Sequence, residues 1–540
     1  MSELKTNVLY FGDNLEILRN RDYFPDASVD LIYLDPPFNS KKDYNILFKE
    51  NGGLESEAQI KAFTDSWHWA QSAQDTYQEV VTKGPLKVGK LIGALHDSLG
   101  HNDVMAYLVM MTIRLIELHR VLKPTGSLYL HCDPTASHYL KLVLDQIFGP
   151  GNFRNEIVWK RTTAHNDPKR FGRIHDILLF YSKTDKPTWN TVFVSYDTEY
   201  IETYYRYTDE DGKKFLSRDL TAPSHGSSSG QYEWHGKRPP EGRMWSYTKE
   251  NMERLEAEGR IFYTRNGYPR LKQYLEDMAG IPAQSMWTDV LNLRSWHKED
   301  LGYDTQKPLA LLERIISASS NKGDVVLDPF CGCGTAVVAA HKLKRKWIGI
   351  DITHLAINLM RVRLKDSFGI KAEVIGEPVD LAGARALAQQ DRYQFQWWAL
   401  GLIGARPIGE KKKGADQGID GVILFIDEPT GKPKRVVVQV KSGHVGVNAV
   451  RELKAVSADD AIGVLITLEA PTQPMLTEAL DAGYYHSPIW DKNYAKIQIL
   501  TIEDLLKDKT VEMPPQTQTN VTFAKAQKIA QKEGEQLAME

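Results

Sequence analysis

An α/β protein built on a parallel, nucleotide-binding type of sheet is the fold expected, and three observations carry that expectation. Buried-strand runs such as "VDLIYLD" and "GSLYLHC" are separated by the amphipathic stretch "MAYLVMMTIRLIELHRVL", the alternation that gives βαβ units rather than hairpins. Far downstream, "GDVVLDPF", "GTAVVAAHKLK" and "RKWIGIDI" repeat the order strand, turn, helix, strand. A third α/β stretch follows, with "GIDGVILFID" and "RVVVQVKSG" as strands around the turn "EPTGKPK".

Each element has its own signal. The long helix over "MAYLVMMTIRLIELHRVL" is expected to end at the turn Pro124 to Gly126, because proline removes a donor and glycine favours a stop. The helix in "DPTASHYLKLVLDQIFG" begins near an aspartate cap and stops at Gly149. "PLALLERIISASS" reads as an amphipathic helix leading into the second unit. From about Arg154 to Thr305 the spacing is irregular and rich in Tyr, Trp, Arg and Gly, including the flexible "SHGSSSGQYEW". The expected organisation is therefore a first α/β half over 1–153, an insertion over 154–300 and a second half over 301–370. A further α/β domain over 385–508 and a polar tail over 509–540 complete it.

Composition narrows the class. With 42% hydrophobic, 25% charged and 10% aromatic residues in 540, this is a folded globular composition long enough for several domains. No run of about eighteen apolar residues occurs and the start lacks a signal-peptide apolar region, so no membrane partner and a cytoplasmic location are expected. Cys132, Cys331 and Cys333 have neither the number nor the spacing of a zinc site or disulfide framework. A net charge of −3 advertises no global attraction to nucleic acid. Locally, "WKRTTAHNDPKRFGR" and "WHGKRPPEGRMW" interleave cations with aromatics, as phosphate and base contacts both require.

Two stretches carry chemistry. In "VVLDPFCGCGTAVVAA", Asp328 ends a strand, Gly332 and Gly334 occupy a tight turn and a small-residue helix begins, so a ligand can approach the backbone closely. Asp351 closes the next strand at the spacing where a carboxylate can accept ribose hydroxyls. The third glycine that accompanies a dinucleotide pyrophosphate is lacking, which favours an adenosyl cofactor without phosphates. In "LDPPFN", two prolines end strand pairing after Leu34 and leave Asp35 and the Pro36 carbonyl as acceptors.

In this order the motifs resemble the amino-methyltransferases of DNA. "DPFCGCGT" resembles that family's motif for S-adenosyl-L-methionine (AdoMet), "GID" its acidic motif, and "LDPPF" its catalytic motif. The catalytic motif comes first, then the insertion, then "YDTQKPLALLERII" and the cofactor loop, which is the circularly permuted order of the β class. "GDNLEIL", "SLYLHCDPTASHYLKLVLDQIFG" and "NEIVWKR" are also similar to that class. The resemblance implies a Rossmann-like AdoMet-dependent methyltransferase with an inserted target-recognition domain.

It further implies that Asp35, Pro36, Pro37 and Phe38 form the catalytic motif, with Phe38 stacking on a flipped-out base. Cofactor contacts are expected from Asp13, Asp328, Phe330, Gly332, Gly334, Thr335 and Asp351, and from Lys307 toward the cofactor's carboxylate end. Trp159, Lys160, Arg161, Lys169, Arg170 and Arg173 are the candidates for contact with double-stranded DNA. Asp-Pro-Pro-Phe resembles N6-adenine enzymes more than N4-cytosine enzymes, and adenine is the expected target.

The segment from about Arg385 to Leu506 resembles the Mrr-like branch of PD-(D/E)xK nucleases, which use acidic ligands for Mg²⁺ and a lysine near the attacking water. Asp420, Gln439 and Lys441 match its pattern, with Asp420 as the candidate metal ligand. Gln439 replaces an acid, and Gln396 stands where a Glu might help bind metal, so an active nuclease and an inactive DNA-binding relative both remain open. The whole is expected to be a DNA methyltransferase of restriction-modification or phage-defence type. A single-chain restriction enzyme and a non-catalytic AdoMet-retaining sensor are the alternatives. Companion restriction or defence subunits and a homodimer are the assemblies left open.

Overall fold

The structure is a computed structural model that describes residues 3–37, 69–164, 167, 169–224, 230–294, 297, 299–301, 303, 305–408, 418–428, 431–458, 461–515 and 522. Phe38 lies outside the described residues, as does most of the polar tail. The chain divides into two compact units, Met1–Asn190 with Ser285–Glu540, and Thr191–Gln284.

The larger unit contains a nine-stranded sheet. Its strands are β1 Val8–Phe11, β2 Val29–Leu34, β3 Leu122–Cys132, β4 Phe153–Lys160, β5 His175–Ser182, β6 Met286–Trp287, β7 Val325–Asp328, β8 Lys346–Asp351 and β9 Glu373–Ile375. They run in the order β6-β4-β5-β3-β2-β7-β8-β1-β9. The five strands β3, β2, β7, β8 and β1 are mutually parallel, while β5 runs antiparallel to both β3 and β4. The catalytic-motif strand β2 and the glycine-loop strand β7 are direct neighbours, with Leu31 opposite Val326 and Ile32 opposite Leu327. Here the chain order reverses, which is where open α/β sheets form their ligand crevice.

The strands are apolar on both faces because helices cover both. Asp103–Val121 buries Met105, Leu108, Val109, Met111, Leu115 and Leu118 against one face, capped by the Asn102 side chain accepting from the Met105 N–H at 2.9 Å. Leu309–Ser319, Thr335–Lys342 and His354–Phe368 bury Leu311, Ile315, Val338, Ala339 and Met360 against the other.

Two expectations are corrected. Pro124 to Gly126 does not end an element: the pairing jumps from Val29 opposite Leu122 to Leu31 opposite Ser127, so these residues bulge out of a continuing strand. The separate insertion is Thr191–Gln284, narrower than 154–300, because β4 and β5 hydrogen-bond into the main sheet and β6 pairs with β4. Within that smaller unit, Lys214–Asp219 pairs antiparallel with Pro269–Tyr274, and Leu220, Trp234, Trp245, Met252 and Ile261 form its core.

The C-terminal region carries a second sheet of β10 Arg406–Pro407, β11 Gly421–Ile426, β12 Pro433–Lys441, β13 Ile462–Thr467 and β14 Ile497–Thr501, in that order. It belongs to the same compact unit as the large sheet. Its leading helix Arg392–Leu402 packs on His354–Phe368: the Gln394 amide oxygen accepts from the His354 N–H at 3.0 Å and Asn358 donates to the Trp397 carbonyl at 2.9 Å. Among the described residues no helix is long and apolar enough to cross a membrane.

Candidate active site

A cavity lies at the carboxyl ends of β1, β2, β7 and β8, and its wall includes Gly12, Asp13, Asp35, Pro36, Pro37, Lys307, Asp328, Phe330, Gly332, Thr335 and Asp351. Parallel strands end at the same edge, so four segments scattered from Gly12 to Asp351 converge there. Of the residues expected in the catalytic motif and around the cofactor, all those described line this cavity except Gly334, which shapes the loop from beneath.

The loop after β7 is built for close approach. Gly334 sits at φ +76° and caps the helix Thr335–Lys342; a Cβ there would lie 2.6 Å from Met360 Cγ. Arg363 fastens the loop from behind by donating to the Cys333 carbonyl at 3.0 Å and to Thr335 Oγ1 at 3.1 Å. Asp351 accepts from the Gly332 N–H at 2.9 Å and from the Thr353 N–H and hydroxyl at 2.9 and 2.8 Å. Burial nevertheless pushes the Asp351 carboxyl above its ordinary range. It drives the Asp328 carboxyl well above that range, helped by the nearby Asp35 and Asp351 carboxylates. A site crowded with carboxylates at the edge of a parallel sheet suits a ligand that brings positive charge and hydroxyl donors, as an adenosyl sulfonium does.

Asp13 caps the helix Asn14–Arg19 by accepting from the Leu15 N–H at 2.7 Å. Arg114 clamps both of its carboxylate oxygens at 2.9 Å and donates to Asn14 Oδ1 at 2.7 Å. Asn14 in turn donates to the Pro329 carbonyl at 2.7 Å, tying the N-terminal strand to the cofactor loop. Lys307, expected at the carboxylate end of the cofactor, has its ammonium ion-paired with Asp35, and both side chains are largely buried.

Sequence reasoning missed Arg114, Asn14, Tyr33 and Tyr303, all of which line the cavity. Arg114 had a signal: it is the one charged residue inside the apolar run "MAYLVMMTIRLI", and a buried cation needs a partner. Tyr303 had none, since only the fold brings its hydroxyl beside Gly332.

The DNA-contact candidates divide. Trp159 is corrected: it is 1% exposed, donates its indole N–H to the Val290 carbonyl at 2.6 Å and packs edge-on to His131, so it is a core residue. Arg161 lies 3.5 Å from the buried Asp176, Arg170 pairs with Asp167 at 2.7 Å, and Arg173 donates to Thr135 at 3.2 Å. Lys160 is half-buried at the end of β4, and Lys169 is exposed.

In the C-terminal sheet, Asp420 precedes β11 and accepts from the Val440 N–H at 2.6 Å, which places it against the segment bearing Gln439 and Lys441. Gln439 is 1% exposed and its amide oxygen has no hydrogen-bond partner among the described residues. Gln396 is half-buried on Arg392–Leu402. Among the described residues no group of three or more His, Cys, Asp or Glu side chains is placed to hold a metal.

Residues 29–361 match the family model described as DNA methylase. The chain belongs to the DNA methylase family. Residues 389–484 of this methylase match the model described as restriction endonuclease. The methylase is 38% identical over 252 residues to the type II methyltransferase M.EcaI of Enterobacter cloacae, covering 46% of this chain and 54% of that one. It is 28% identical over 355 residues to the Mod subunit of the type III restriction-modification enzyme StyLTI of Salmonella typhimurium, covering 63% and 50%. The chain thus spans about half the length of these curated relatives. Among solved structures it is similar to a DNA modification methylase of Thermus thermophilus complexed with S-adenosyl-L-methionine, at 16% identity and a TM-score of 0.33, covering 68% of this chain and 97% of that one.

Proposed function

We propose that this methylase is a site-specific DNA methyltransferase that transfers a methyl group from AdoMet to the exocyclic N6 amine of adenine in double-stranded DNA, within a restriction-modification or phage-defence system. The observation that carries the reading is the placement of Asp35 and Pro36 on the wall of the same cavity as Asp328, Phe330, Gly332 and Asp351. Asp13, Asp351 and the loop Asp328 to Thr335 are the residues that would hold AdoMet, which supplies the transferable sulfonium methyl when bound.

A base amine is a poor nucleophile because its lone pair is delocalised into the ring. The Asp35 carboxylate and the Pro36 carbonyl accept its two N–H bonds, which aims the nitrogen and returns electron density to it. Pro36 and Pro37 keep that carbonyl out of the sheet ladder. The Lys307 ammonium supplies the countercharge that holds the Asp35 side chain at the cavity before a base arrives. Methylation would leave the amine nitrogen cationic, and Asp35, on the cavity wall, is the group that would take its surplus proton. No covalent intermediate with the protein is needed, in keeping with Cys331 and Cys333, whose thiols burial pushes upward and away from the reactive thiolate. The preference for adenine rests on the resemblance of Asp-Pro-Pro-Phe to N6-adenine enzymes.

Sequencing modified bases in DNA from cells expressing the chain tests this reading, with Asp35→Ala as the control. N6-methyladenine at a defined site, absent with the variant, is the expected result. N4-methylcytosine would replace the target base, and no modified base would overturn the reading.

A second reading concerns the C-terminal domain, and the buried Gln439 amide oxygen on the strand that Asp420 faces favours it. One carboxylate and one amide oxygen are the hard donors that suit Mg²⁺. Lys441 follows on the same strand, where it can stabilise charge developing on a phosphate. Cleavage of unmethylated DNA with Mg²⁺ that is lost in Lys441→Ala supports a bifunctional restriction enzyme; no cleavage by the unmodified protein refutes it.

A further inference from the structure

Beneath the catalytic motif lies a buried polar chain that the reaction described above leaves unused. Tyr33, on β2 two residues before Asp35, lines the cavity, and its hydroxyl is 2.9 Å from His131 Nδ1 on β3. His131 Nε2 is 3.2 Å from Asp176 Oδ2 on β5. Tyr33, His131 and Asp176 are 2%, 0% and 2% exposed, on three adjacent strands. Arg161, after β4, stands 3.5 Å from the other Asp176 oxygen.

Three polar side chains in an apolar sheet layer are costly unless each is satisfied, so their alignment needs a reason. Burial alone would raise the Asp176 carboxyl, yet the hydrogen bond from His131, together with the His131, Arg161 and Lys307 charges, brings it below its ordinary range. An ionised Asp176 can only accept, so His131 Nε2 carries a proton toward it. His131 Nδ1 faces the Tyr33 hydroxyl, which donates to a neutral imidazole and accepts from a protonated one, so the chain from Asp176 to Tyr33 closes in either state.

We propose that Asp176, His131 and Tyr33 form a positioning relay that sets the aim of Asp35 and the Pro36 carbonyl at the target amine. The inference rests on the methyltransferase reading. The two prolines release the backbone from the sheet after Leu34, so the last side chain anchored near the cavity on this strand governs where Asp35 points. Tyr33 is that anchor, because its side chain lines the cavity while its hydroxyl is tied to the neighbouring strand β3 and through it to β5. A donor–acceptor geometry that must be held closely makes such an anchor matter for rate more than for binding.

The test is single-turnover methylation of a site-bearing duplex by the full chain and by Tyr33→Phe, His131→Gln and the double variant, with AdoMet and DNA affinities measured alongside. Tyr129→Phe is the control, since this residue lies on the same strand β3 as His131 and its hydroxyl makes a buried 2.7 Å bond to Ser319 Oγ at the end of the helix Leu309–Ser319, without lining the cavity. Tyr33→Phe and His131→Gln are expected to slow the chemical step by roughly tenfold or more with both affinities retained. The double variant is expected to be no slower than the worse single one, and Tyr129→Phe to keep the unmodified rate. Unmodified rates in Tyr33→Phe would overturn the relay, as would losses in rate matched by the control or explained by weakened binding. Absence of methylation by the unmodified chain would instead remove the underlying reading.

Discussion

Lys307 Nζ is ion-paired with the Asp35 carboxylate, 272 positions earlier in the chain. The pair joins the end of β2 to the start of the helix Leu309–Ser319, and so links the two halves of the permuted domain at the wall of the cavity proposed as the active site. Asp35→Ala is expected to retain AdoMet affinity while methylation falls by about two orders of magnitude or more, because aim and proton acceptance are lost together. Lys307→Met is expected to retain the fold and to lose part of the rate. Calorimetric titration with AdoMet beside a labelled-methyl assay separates the two effects, and loss of AdoMet binding in Asp35→Ala would count against the assignment.

Gly334 tests the cofactor loop. A side chain there meets left-handed backbone strain at φ +76° and a Cβ only 2.6 Å from the buried Met360 side chain. Gly334→Ala should therefore cost about 2–4 kcal/mol, combining backbone strain with overpacking. Chemical denaturation measures the stability loss, and AdoMet titration should show weakened binding in the fraction that folds.

Gly401 tests the packing of the C-terminal domain. A Cβ at this helical position would lie 2.2 Å from Asn358 Nδ2, so the helices Arg392–Leu402 and His354–Phe368 approach closely only because glycine is there. Gly401→Ala should destabilise by about 1–3 kcal/mol. Asn358→Ala forfeits the bond to the Trp397 carbonyl but removes the obstruction, so the double variant should lose less than the two single losses added together. Additive losses in denaturation would show that the two positions do not meet.

His119 gives the stability a pH dependence of known sign. Burial, with the nearby Lys183 charge, lowers its pKa to about 4 from an ordinary 6.5. It packs edge-on to Phe148 with ring centroids 4.8 Å apart. The unfolded chain takes up this proton more readily than the folded one, so the contribution is present above pH 6.5 and lost as pH falls toward 4. The loss is on the order of 2 kcal/mol at its limit, once solvent screening of this partly exposed ring is allowed for. Urea midpoints for the unmodified chain and His119→Gln, compared at pH 7.5 and about 5, should converge on acidification.

The local chemistry of this protein is legible in short stretches of its chain. "LDPPF", "DPFCGCGT" and "WIGID" announce strand ends bearing acceptors and glycines, because proline and glycine impose backbone constraints that need no distant partner. The parallel sheet is legible for a similar reason, through the alternation of apolar runs with amphipathic ones. Which residues meet depends instead on the packed fold. The adjacency of β2 and β7, the clamp of Arg114 on Asp13, the pairing of Lys307 with Asp35 and the Tyr33–His131–Asp176 chain all join segments distant in sequence. Trp159 and the true limits of the insertion were likewise hidden, since an aromatic among cations reads the same on a DNA-facing loop as on a strand buried in the sheet. Side-chain direction and strand order are properties of the packed sheet, whereas φ restrictions and hydrophobic period belong to each short stretch of chain.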